Sequence, residues 1–146
     1  MSDGPDAAHQ VPEGVDAATV DALGMLSKAL ETVERVRGHL YSFHQLSGTA
    51  DFQLGDAIDM LRDAGHGELA DRIDDELLGR NVITGHWTFQ LVEDYDDGYY
   101  ATFRRLEETA RSELADGRRH LHEARLKEER RTHGRPGHEA TPADVG

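Results

Sequence analysis

The chain has no cysteine among its 146 residues. That excludes disulfides, thiolate metal sites and cysteine nucleophiles together, and makes an oxidising compartment unnecessary. Lysine is scarce, two against fourteen arginines, and serine occurs only at positions 2, 27, 42, 47 and 112. No Gly-x-Ser-x-Gly, Walker or Gly-x-Gly-x-x-Gly pattern is present, so neither a nucleophile elbow nor a phosphate cradle has sequence support. Ser42 beside His39 or His44 lacks the sharp turn that exposes a catalytic hydroxyl. No stretch approaches the ~18 apolar residues of a membrane span, and "MSDGPDAAHQVPEG" lacks the basic start and apolar run of a signal peptide. The expectation is a cytoplasmic, non-enzymatic protein with no membrane partner.

Leu, Ile, Val and Phe number 30 of 146, close to the one-fifth level below which a strongly charged chain stays unfolded. Their distribution decides the matter, because they cluster between 20 and 126 at helical spacing. Residues 1–15 and 133–146 hold almost none, which predicts two disordered tails around a single helical domain over 16–132.

Leu23, Leu26, Leu30, Val33, Leu40 and Phe43 predict a first helix over 16–47, stopped at Gly48. Thr49 or Asp51 then caps a second, with Leu54, Ala57, Ile58 and Leu61 inward and a glycine stop at Ala64-Gly65. A third, over 67–78, carries Leu69, Ile73 and Leu77 and stops at Gly79. "RNVITGHWTF" has no clear period, and Thr84 is its candidate cap. Phe89, Val92, Tyr99, Phe103, Leu106, Ala110 and Leu114 predict one long inner face on a last helix over 86–131. Such a helix would span roughly 67 Å against roughly 48 Å for the first. It must therefore overhang, or bend at Gly98 or Gly117. Leu121, Ala124 and Leu126 lie on a solvated extension or pack on another chain. No strand pattern is present, and the predicted fold is all-α: two long antiparallel helices with a short helical hairpin packed against them, four-helix and bundle-like.

"RGHLYSFHQLSG" places Arg37 and His44 among leucines. A core arginine needs a carboxylate, and Glu93, Asp94, Asp96 and Asp97 are the candidates, with His44 making a register-fixing hydrogen bond. The alternative is a small-ligand or metal-binding protein, with an enzyme left open, whose pocket in the bundle interior is formed by Arg37, His39, His44, Glu93 and Asp97. There Arg37 would clamp an anion and the carboxylates would hold a cation or act as a base. His44, His86, Glu93 and Asp97 are the corresponding metal candidates, suited to Zn, Fe or Mn. Against a metal stands the absence of Glu-x-x-His and His-Glu-x-x-His, and the ~140° that separates His39 from His44 around a helix. No cofactor is expected, and a divalent metal is the alternative. In "EDYDDGYYATF", Tyr99 and Phe103 are expected inward and Tyr95 and Tyr100 at the edges, with the acids solvated.

The net charge of −13 is unevenly placed: residues 118–135 carry seven Arg or Lys against three Glu. Helices two and three resemble a helix-turn-helix, but Glu68, Asp71, Asp74, Asp75 and Glu76 would repel phosphate. Nucleic acid is therefore not an expected partner. A basic face of this kind suits an acidic protein surface, and Leu114, Arg118, Arg119, Leu121 and Arg125 are the candidate interaction residues for a homo-oligomer or another protein.

"HLYSFHQLSG", "ELADRIDDELLGRNV", "WTFQLVEDYDDGYY" and "RRTHGRPGHEATP" together resemble a group of short uncharacterised helical proteins from high-GC actinobacteria, from about residue 30 onward. The resemblance implies a source, and no activity, ligand or catalytic residue.

Overall fold

Asp16 begins the first helix: its carboxylate accepts the Thr19 backbone N–H at 2.8 Å, satisfying one of the donors a helix start leaves open. A computed structural model describes residues 3–141. Among these the regular elements are helical, with no strand beyond an isolated bridge between Ile83 and His86. They are α1 (Ala17–Asp63), α2 (Gly67–Glu76), α3 (Thr88–Tyr95), a π-helical turn (Asp96–Tyr100), α4 (Ala101–Ala115) and α5 (Leu121–Arg130), with a 3-10 turn at Ala7–His9. The all-α expectation holds. No helix is long and apolar enough to cross a membrane among the described residues.

Three boundaries differ from the sequence reading. First, α1 does not stop at Gly48. Glycine costs about 1 kcal/mol in a helix interior, and inward packing on both sides outweighs that, through Val33 before it and Ile58 after it. Thr49 bonds back to the Gln45 carbonyl rather than capping a new helix, and Asp51 accepts the Gly79 N–H at 2.9 Å. Gly48 faces open space. Gly48→Ala is therefore expected to raise stability by about 0.5–1 kcal/mol, measured as a higher melting temperature. A lower one would contradict a helix continuous through this point.

Second, α3 begins after Trp87 rather than at Thr84. The Gln90 side chain accepts the Trp87 N–H at 2.9 Å. Third, the last helix is not one rod. It ends where Asp116 and Gly117 take φ of 52° and 74°, and His120 takes 58° before α5 starts. Left-handed backbone terminates a helix, and Gly117 supplies it without a side-chain clash. At Gly98 the path remains helical but widens into the π turn. Such single π turns inside a helix add one residue to the local turn. The single apolar face expected from Phe89 to Leu114 does not form: Val92 is buried, whereas Phe89, Tyr99, Leu106 and Leu114 are exposed.

The chain divides into two units, Met1–Thr32 with Thr102–Gly146, and Val33–Ala101. In the terminal unit, Val20 and Leu23 of α1 pack with Ala115 and Leu121. Leu121 thus belongs to its own chain's core, not to an extension. Glu107 is buried there too, accepting from Ser27 at 3.0 Å and Arg111 at 2.8 Å. Arg111 also donates to the Gly117 carbonyl at 3.2 Å, tying the end of α4. Gly24 lies against His122, so close that a Cβ on Gly24 would meet the His122 Cβ at 2.6 Å. The segments of low apolar content meet in one polar cluster: the buried Arg131 donates to Asp3 at 2.9 Å and Glu128 at 2.7 Å, and His133 contacts Asp3 at 2.8 Å.

The central unit is built on α1 from Val33 onward. Val33, Ile58, Ala70 and Val92 are its buried apolar residues. Arg62 holds α2 through Asp71 and, at 3.3 Å, Asp74. Gly65 and Gly79, at φ of 91° and 73°, terminate α1 and the α2 segment where the sequence places their stops.

Candidate functional site

The polar residues of "RGHLYSFHQLSG" lie in the central unit, and two of them are held by the α3 segment. Arg37 makes a two-pronged ion pair with Asp96, 2.6 Å from Nε to one carboxylate oxygen and 2.9 Å from Nη2 to the other. Its guanidinium sits 5.4 Å from the Tyr100 ring centroid, and the Tyr100 hydroxyl donates to Glu34 at 2.6 Å. Tyr95 stacks on Tyr100 with centroids 6.2 Å apart. The π turn makes this cluster: it brings Asp96 and Tyr100 onto α1 together and leaves Tyr99, expected inward, exposed. The His44 ring lies 2.7 Å from the Thr88 hydroxyl and meets Phe89 edge-on.

The remaining pocket candidates do not join them. His39, His86, Glu93 and Asp97 are exposed, and among the described residues no group of three or more His, Asp or Glu is placed to hold a metal ion. Arg37 and His44 therefore occupy two separate polar contacts on α1.

The Arg37 hydrogen bonds hold the Asp96 carboxyl below its ordinary value of 3.8. A carboxylate depressed in the folded state contributes stability that is complete above its ordinary value and is lost as pH falls through the lowered one. Asp96→Asn is expected to lower the melting temperature at neutral pH and to lose that deficit on acidification from about pH 5 to pH 2. A deficit that stays constant over that range would show that the pair does not couple to folding.

Two concavities flank the loop after α2. One, of about 760 Å³, is lined by Ala50, Asp51, Leu54, Leu77, Arg80 and Val82, among others. The other, of about 360 Å³, adds Gly48, His86, Trp87, Thr88 and Phe89 to the Ser47, Arg80, Asn81 and Val82 they share. Both fall within the size of small-molecule sites and mix apolar walls with polar groups, Arg80 in both and Asp51 in the larger. Sequence reasoning missed them because "RNVITGHWTF" has no period to place it.

On the interaction residues expected near the C-terminus, the terminal unit makes its own claims. Leu121 is buried, Arg125 pairs with Asp21, and Arg118 donates to the Gln10 carbonyl at 2.5 Å. Leu114 and Arg119 are exposed. Several large apolar side chains are exposed instead on α1 of the central unit. Val36 is 49% exposed, Phe43 38%, Leu46 64% and Met60 71%.

Protein-family models, curated proteins and solved structures were compared with the chain, and none matches.

Proposed function

We propose that this is a non-enzymatic interaction protein that self-associates in the cytoplasm, and that it belongs with the short actinobacterial helical proteins it resembles. The observation that carries the reading is the set of large apolar side chains left in water along α1 of the central unit, with Val36, Phe43 and Leu46 on one side of it. Scattered exposed apolar residues are ordinary, but several on one side of a helix favour a partner, because covering them removes apolar area from water at about 25 cal/mol per Å². Of the candidate site residues, Arg37 is engaged in the fold by Asp96 and His44 by Thr88.

A second reading, a small-ligand protein, is favoured by the concavities around Arg80, Val82 and Trp87 rather than by the bundle interior. Native mass spectrometry of untagged protein purified without chelators separates the two. A dimer or larger assembly at bare polypeptide mass is the expected result. A monomer carrying a stoichiometric extra mass would overturn the first reading in favour of the second.

A further inference from the structure

Read in sevens, α1 of the central unit presents Val36, Phe43 and Ala50 at one position and His39, Leu46 and Gln53 three residues further on. All six are exposed, and none is Asp, Glu, Lys or Arg. Positions at spacings of three and four share one helix face, and this is the spacing at which two helices interlock side chains. The core-facing stripe, with Val33, Arg37, His44 and Ile58, is a different one. We infer that the outer stripe pairs with the same stripe of a second copy, running antiparallel, with Phe43 packed on Leu46 of the second copy and Leu46 on its Phe43. The inference rests on the self-association proposed above and adds the face, direction and register.

Charge selects the direction. One flank of the stripe carries Arg35, Ser42, Thr49 and Asp56, all exposed. In the antiparallel arrangement centred between residues 43 and 46, Arg35 lies opposite Asp56 of the second copy, Asp56 opposite its Arg35, and Ser42 opposite its Thr49. Val36 then meets Gln53, and His39 meets Ala50. Both ends of the seam gain an ion pair from the two-fold symmetry alone. A parallel, in-register pair instead sets Arg35 beside Leu40 and Asp56 beside Leu61 of the second copy, and neither charge finds a partner. Register follows from the same residues. Sliding one heptad in one direction puts Phe43 against Gln53, and in the other puts Arg35 against Thr49.

Because the chain has no cysteine, single substitutions report the geometry directly. Val36→Cys and Gln53→Cys are prepared separately and by coexpression, oxidised, and examined for disulfide-linked dimer, with sedimentation of the unsubstituted protein alongside. The expected result is dimer from the coexpressed pair and none from either alone, since two Val36 positions in this register stand about 25 Å apart along the helix. Linkage of each variant with itself would overturn the antiparallel seam. An assembly in sedimentation with no linkage in the mixture would overturn the seam and leave self-association standing. A monomer at all concentrations would overturn both.

Discussion

Arg111→Ala is expected to destabilise the terminal unit by about 3–5 kcal/mol, because it strips the partner from a buried carboxylate. Glu107 is only 5% exposed, and its Oε1 accepts from both Arg111 and Ser27. With the guanidinium gone, Ser27 alone cannot offset the desolvation of the charge, and the Gly117 carbonyl also loses its donor. The double variant Glu107→Leu/Arg111→Met should recover most of the loss, since replacing both members of a buried pair with apolar groups of similar volume is often neutral. Thermal and urea denaturation read both effects. A single variant within about 0.5 kcal/mol of wild type, the range of ordinary surface changes, would show that Glu107 is hydrated and not part of a core.

Gly24→Ala is expected to cost about 1–3 kcal/mol, the range for overpacking a close contact. The added methyl would meet the His122 Cβ at 2.6 Å and Cγ at 2.7 Å, so α1 and α5 cannot both stay where they are. The loss should appear as faster amide exchange over Leu121–Arg130, where α5 is held by Leu121 in the core and by the Arg125–Asp21 ion pair. His122→Ala should not rescue it, because alanine keeps the Cβ that makes the nearest contact, whereas His122→Gly should. Rescue by alanine would place the clash at the imidazole ring and contradict the backbone proximity.

The apolar period made the all-α fold legible, and local backbone chemistry made Gly65 and Gly79 legible as stops. The candidate partners of Arg37 were narrowed to a few acids on the α3 segment, and Asp96 is one of them. What separates Asp96 from Glu93 and Asp97 is the π turn, which leaves no signature in spacing because it is an insertion into the very period being read. Gly48 misled for a different reason: a glycine penalty is local, while helix continuation depends on packing far along the chain at Val33 and Ile58. Glu107 and Gly24 were invisible because burial of a charge and close approach of a backbone are properties of contacts across the fold, between residues 80 or more positions apart. The outer stripe of α1 was hidden by its own composition. Phe43 scored as a core residue, and only the structure shows that the core lies on another face.

Self-association is proposed to rest on this outer stripe. Sedimentation velocity over a wide concentration range, on wild type and on Leu46→Lys, tests it most directly, because Leu46 is exposed and its replacement by a lysine leaves both cores untouched. Wild type is expected to assemble, and Leu46→Lys to be a monomer of unchanged helicity and melting behaviour at low concentration. A wild-type protein that sediments as a monomer throughout, or a Leu46→Lys variant that assembles as wild type does, would contradict it.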